Sequence, residues 1–224
     1  MLTLETLIRM SAVVDPDKAA RRYFTAASGA VCYVLDPDGS DIRLEDIATG
    51  LSRCARWGGH TDPGHMHAYT VAQHSVLASQ LAETEARHQE LPELDVLHHA
   101  LEALFHDATE AYLGDVMNPL KGVLPEYRGI ERSWAFAIGR RVGLGNRLAN
   151  LSDITKRADL TMLFVEHRRL RIEDATGPQW QETFRETRDV PDEVVPAWSS
   201  TTAERRFLAR NKELRRAIFV ASET

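Results

Sequence analysis

Along most of this chain apolar residues return every third or fourth position, the period of an α-helix with one face turned inward. Leu44, Ile47, Ala48, Leu51 and Ala55 mark a helix that stops at Gly58 and Gly59. Val71, Leu77, Ala78 and Leu81 predict a second helix over residues 70–86, and an apolar third spans 94–105. Ile130, Trp134, Ile138 and Val142 recur at steps of four in a long helix over 126–142, with Gly143 as its stop; another runs over 152–172. Thr201 and Glu204 have the Thr-x-x-Glu spacing of a capping box and open a last helix reaching residue 220.

Two kinds of segment break that period. A β-branched and aromatic run at 30–35 lies between Ser28-Gly29 and Asp36-Pro37-Asp38-Gly39, predicting a hairpin or edge strand within 23–36. Pro119 and Pro125 predict a partly irregular loop over 114–125, and Pro178, Pro191 and Pro196 a mixed region over 174–200. The pattern as a whole predicts an all-α helical bundle with a small N-terminal β-hairpin and an added C-terminal helix. A single domain over 1–224 is expected: a core at 44–172, a hairpin-bearing extension at 1–43 and a C-terminal extension at 173–224.

With 224 residues, 43% hydrophobic and 27% charged, the chain can bury one sizeable core. Its formal charge of -6 argues against long nucleic acid as a partner but leaves room for a small phosphate compound in a local basic pocket. Cys32 and Cys54 form neither a disulfide framework nor a Cys-x-x-Cys zinc site, which fits a reducing, cytoplasmic setting. The start, MLTLETLIRM, is too short and polar for a signal peptide, and no stretch approaches a membrane span.

Chemistry-bearing residues are spread along the helices. His74, the pair His106-Asp107, and Asp159 supply two imidazoles and two carboxylates, a sufficient cage for one divalent transition metal: manganese, cobalt, iron, nickel or zinc. Such an ion with open coordination positions activates water near neutral pH, so hydrolysis is the expected reaction. Glu110 and Asp115 follow within a stretch that also holds Leu104, Phe105, Ala108 and Ala111. Charges in so apolar a setting need a compensating cation or protons.

These elements resemble the HD superfamily of metal-dependent phosphohydrolases: His74 within VAQHS, His106-Asp107 within FHDATE, and Asp159 within RADL. Arg56-Trp57 ahead of the first histidine, Glu110, and Gly114-Asp115 followed by Asn118-Pro119-Leu120-Lys121 look like the bacterial 5'-deoxynucleotidase branch and related phage-type nucleotide hydrolases. The likeness covers 44–170. It implies His74, His106, Asp107 and Asp159 as metal ligands, Glu110 and Asp115 as catalytic carboxylates, and Arg56 and Trp57 as substrate contacts. Two departures bear on substrate choice: Gln73 stands where a Glu is usual, and the loop over 58–69 is longer than in the simple nucleotidases.

The residue types suit those roles. A guanidinium pairs with phosphate and an indole stacks on a base or sugar, while Lys121 offers a compact cation in a loop expected to roof the site. Glu110 and Asp115 divide the proton transfers, with acid and base unassigned. His60, His65 and His67 match no ligand spacing, and His98 and His99 read as structural. No histidine lies between Asp107 and Asp159, where binuclear members add them, so one metal per chain is expected. The acidic pair of alarmone hydrolases and the Gly-Tyr-Pro signature of cyclic dinucleotide phosphodiesterases are both absent.

Arg205, Arg206, Arg210, Lys212, Arg215 and Arg216 make the last helix basic, expected as a solvated face or a subunit contact in a homo-oligomer. The expected function is hydrolysis of a nucleoside 5'-phosphate, foremost a deoxynucleoside monophosphate. One alternative is a deoxynucleoside triphosphate hydrolase, which needs further cations such as Lys156 or Arg157. A catalytically silent metal- and nucleotide-binding module is another, though it has no use for two spare carboxylates.

Overall fold

The computed structural model describes residues 22–170 and 196–223. The expectations for 1–21 and most of the mixed region 174–200 therefore lie outside the described residues.

A short antiparallel hairpin comes first: β1 (Tyr23–Thr25) and β2 (Val31–Tyr33), with Phe24 opposite Cys32. Three-residue strands do not hold alone. Alternation turns Phe24 and Cys32 inward, and Cys32 is 2% exposed. Phe24 stacks on Trp134 at 6.0 Å between ring centres. Ser28 donates to Asp46 through its amide (2.7 Å) and its hydroxyl (2.6 Å), and the Trp134 indole donates to Val34 O (3.0 Å).

Helices follow: α1 (Leu44–Arg53), a 3-10 turn (Arg56–Gly59), α2 (Val71–His88), α3 (Glu93–Phe105), the single turns α4 (Glu110–Leu113) and α5 (Asn118–Lys121), α6 (Pro125–Arg141), a 3-10 turn (Arg147–Ala149), α7 (Asp153–Leu170) and α8 (Ser200–Ser222). Central α2 is packed by α3, α7 and α8. Thr70 caps its start by accepting from the Gln73 amide, and every residue from Val71 to Ser79 is buried. A helix walled on all sides needs no single apolar stripe. Among the described residues the bundle is all-α apart from the hairpin, as the periodicity predicts.

Two local features set up the site. A bridge between Ala55 and Thr70, with Arg56 N donating to Tyr69 O (2.9 Å) and Val71 N to Cys54 O (2.9 Å), ties the Arg56 turn to the start of α2. In α1, Gly50 lies so close to α4 that a Cβ there would meet Ala111 O at 2.6 Å. Only glycine lets these backbones approach so closely.

Two expectations need correction. Ser199, not Thr201, caps α8: its backbone is extended and its hydroxyl accepts from the Thr202 amide, whereas Thr201 is already helical. Glu204 is thereby free to pair with Arg53 of α1 at 3.0 Å. Within the basic last helix Arg210 is not solvated; it is 7% exposed and reaches Ser79 (3.1 Å) and Glu83 of α2. The loop over 114–125 contains the helical turn α5, which accepts Pro119 because the first-turn N–H groups have no intrahelical partner to lose. Among the described residues no helix is long and apolar enough to cross a membrane.

Candidate metal centre and cleft

His74 sits one turn into α2, His106 caps the C-terminus of α3, Asp107 follows it, and Asp159 lies in α7. The bundle brings all four together. His74 Nε2 is 3.2 Å from His106 Nε2, 3.6 Å from Asp107 Oδ2 and 3.2 Å from Asp159 Oδ1. His106 Nε2 is 3.3 Å from Asp107 Oδ2 and 3.6 Å from Asp159 Oδ1. Donors bound at about 2.1 Å to one ion stand roughly 3.0 to 3.4 Å apart, so the spacing of His74, His106 and Asp107, whose donor atoms all lie within 4.8 Å of one another, suits a single small divalent metal, with Asp159 Oδ1 beside both imidazoles.

The outer nitrogens sharpen that fit. His74 Nδ1 lies 2.6 Å from Glu166 Oε1, and His106 Nδ1 lies 2.7 Å from Ala103 O. With Nδ1–H donated on both rings, both Nε2 lone pairs point at each other and at two carboxylates. Such a set repels itself without positive charge at its centre. A metal or protons can supply that charge. Burial opposes protonation, but Asp107 and Asp159 hold the His106 pKa well above its ordinary value, and Glu166 and Asp159 raise that of His74. Asp107 and Asp159 are correspondingly driven below the usual carboxylate range by the two imidazoles. The Asp159 side chain is 43% exposed and faces the open side.

Glu166 is a residue that sequence reasoning missed. It is 0% exposed, and its Oε2 accepts from Arg56 Nε (2.9 Å) and from the Trp57 indole (3.2 Å) while Oε1 takes His74. Its signal was its position seven residues beyond Asp159, two turns on along one face of the same helix.

Arg56 is also buried, with Nη1 3.1 Å from Asp107 Oδ2, so its guanidinium is held between a proposed ligand and Glu166. Trp57 occupies the left-handed region (φ 60°, ψ 22°), a conformation costing a bulky residue on the order of 1–3 kcal/mol. The Glu166 hydrogen bond and the edge of His167 (5.8 Å) hold it there.

Beside the four donors opens a cleft of about 530 Å³, within the roughly 300–1,000 Å³ of small-molecule sites. Arg56, Trp57, His60, Glu110, Asp115 and Lys121 line it together with Asp107 and Asp159, and 116–119 form its roof. Glu110 Oε1 is 3.6 Å from Lys121 Nζ, while Oε2 is buried without a hydrogen-bond partner among the described residues. Burial first, then the charges of Asp107 and Asp115, raise the Glu110 pKa well above the usual range; Asp115 is raised too, chiefly by burial. Lys121 is not a free cation, since Glu131 Oε1 lies 2.7 Å from its Nζ. Lys156 and Arg157 pair with Asp153 and Glu85 and do not line the cleft.

Two further polar side chains make contacts away from the cleft. His99 meets Ser152 at 3.1 Å. Gln73 accepts from the Trp198 amide (2.8 Å) and donates to Pro196 O (3.4 Å), fixing the approach to α8.

Comparison with known proteins places this geometry in context. Residues 46–133 match the family described as 5'-deoxynucleotidase YfbR-like, a span holding Arg56, Trp57, His74, His106, Asp107, Glu110, Asp115 and Lys121 but neither Asp159 nor Glu166. An uncharacterized protein of Escherichia coli K12, YfdR, is 39% identical over 149 residues, covering 66% of this chain and 72% of the relative. An uncharacterized protein of Rhodobacter capsulatus is 39% identical over 118 residues, 52% of this chain and 56% of that one. Among solved structures, a cyanophage S-2L HD phosphohydrolase, DatZ, bound to dA and one catalytic Zn2+ ion, aligns with a TM-score of 0.50 and 14% identity, covering 82% of this chain and 99% of the phage protein.

Proposed function

Since the chain belongs to the HD-domain superfamily of metal-dependent phosphohydrolases, we propose that it removes the 5'-phosphate of a deoxynucleoside monophosphate. Metal-dependent hydrolysis of a nucleotide phosphate is the activity of the family; the monophosphate is the finer reading. One observation carries it: among the described residues lining the cleft, the cations are Arg56 and Lys121, and both are already engaged by carboxylates. One phosphoryl group can share such cations, whereas a triphosphate chain calls for several uncommitted ones. The dA and single Zn2+ bound by the phage protein suit a deoxynucleotide substrate and a single metal.

A divalent metal held by His74, His106, Asp107 and Asp159 would supply the Lewis acidity that activates water and neutralises phosphoryl oxygens. The chain's own groups do the rest. Arg56, fixed at Nε by Glu166, turns its guanidinium toward the phosphate, and Trp57 offers its ring to the base or sugar. Lys121 approaches the phosphoryl group from the roof. Glu110, pushed well above the ordinary carboxylate range by burial and by Asp107 and Asp115, is placed to carry a proton to or from the attacking or leaving oxygen, with Asp115, raised by burial, beside it in the cleft.

A phosphate-release panel over deoxynucleoside mono-, di- and triphosphates tests the proposal. Orthophosphate from monophosphates is expected; tripolyphosphate from triphosphates would replace this reading with the triphosphohydrolase.

A further inference from the structure

We infer that Glu166 is a positioning residue shared by the metal centre and the substrate wall, so that metal affinity and nucleotide affinity depend on one buried carboxylate. This rests on the proposed roles of His74, Arg56 and Trp57.

Three donors from three different positions end on its two oxygens: His74 at 2.6 Å, Arg56 Nε at 2.9 Å and the Trp57 indole at 3.2 Å. An ion pair serving stability alone would need only the arginine, and a buried pair is weakly stabilising in any case. Here the same carboxylate fixes the tautomer of His74, leaving Nε2 as the lone pair toward Asp159. Its other oxygen holds an arginine that also touches Asp107 and a tryptophan in a strained backbone conformation. Trp57 and Arg56 line the cleft; His74 does not, and Glu166 is their mechanical link. The buried Tyr69 hydroxyl lies in the same charge field, its pKa pushed up by burial first and by Glu166 second.

E166Q is the direct test. A carboxamide has one accepting oxygen and one donating nitrogen, so it cannot serve His74 and also accept from both Arg56 and Trp57. Titrating Mn2+ calorimetrically into chelator-stripped protein should show affinity weakened by about 10- to 100-fold. At saturating Mn2+, KM for a deoxynucleoside monophosphate should stay raised roughly tenfold, with kcat within about threefold of the parent, as a lost charge-assisted hydrogen bond in the binding wall implies. E166D keeps the buried charge but withdraws it by about one carbon–carbon bond, roughly 1.5 Å, and should weaken Mn2+ binding as well. Parent protein that binds Mn2+ and turns over, with folded E166Q or E166D unchanged in both constants, overturns the assignment. So does failure of both variants to fold, which would make Glu166 a structural ion-pair partner. A parent protein that binds no Mn2+ or releases no phosphate sinks the underlying reading instead.

Discussion

His74 and His106 face each other through their Nε2 atoms across 3.2 Å, with each Nδ1 already engaged on its far side. Protons and a metal therefore compete for the same lone pairs. Both histidines have raised pKa values in the metal-free fold. Their contribution to metal-free stability is fully present below the unfolded value of about 6.5 and is lost as pH rises through the folded values. Added metal should gain hold over that same window. The Tm increment from saturating Mn2+ is expected to widen steadily from pH 6 to 9; an increment independent of pH would show that these imidazoles are not the groups displaced.

Glu110 Oε2 is buried with no hydrogen-bond partner among the described residues, and Glu110 is not among the four proposed ligands. E110Q should keep metal stoichiometry and lose turnover by about 10²- to 10⁴-fold. Elemental analysis beside a phosphate assay checks both halves. Loss of the metal together with activity would mean that Glu110 is a ligand instead.

Gly50 makes the contact that seats α4, and α4 begins with Glu110. Alanine would gain up to about 1 kcal/mol of helix propensity, but its Cβ would strike backbone at Ala111, and overpacking costs about 1–3 kcal/mol. The clash should win. G50A is expected to lower Tm by several degrees and to lower kcat more than Mn2+ affinity, measured by thermal melts and steady-state kinetics. Unchanged kcat in a destabilised protein would uncouple this contact from the site.

Lys121 is shared between Glu131 at 2.7 Å and Glu110 at 3.6 Å. K121M removes the roof cation while keeping most of its apolar length. KM for the monophosphate should rise roughly tenfold with Mn2+ affinity unaltered, in line with one charged hydrogen bond to phosphate. A KM equal to the parent's would leave Lys121 as an ion-pair partner of Glu131 alone.

Much of this was written in residue types and spacing. The helices α1, α3, α6 and α7 follow the apolar period because their inward stripes are what the bundle buries, while α2 was legible from its apolar positions although it is walled in on all sides. The four candidate donors stand out in the sequence because His106-Asp107 is contiguous and His74 and Asp159 lie on helices flanking it. What escaped were relationships carried by long-range contact. Glu166 looks like any helical acid until the fold puts Arg56, Trp57 and His74 around it. Arg210 belongs to a basic run, and only the packing of α8 on α2 turns it inward. The cap at Ser199 was hidden because Thr201 and Glu204 offer the same pattern two residues on, and the direction of chain entry decides between them.

The central claim is that this cleft cleaves a nucleotide phosphate only with a divalent ion seated on His74, His106, Asp107 and Asp159. The most direct measurement is orthophosphate release from a deoxynucleoside 5'-monophosphate by chelator-stripped protein, before and after Mn2+ is returned, in the parent and in D159A. Release is predicted to be absent in the stripped parent, restored by Mn2+, and not restored in D159A. Release that survives stripping, or that D159A supports as well as the parent, would contradict it.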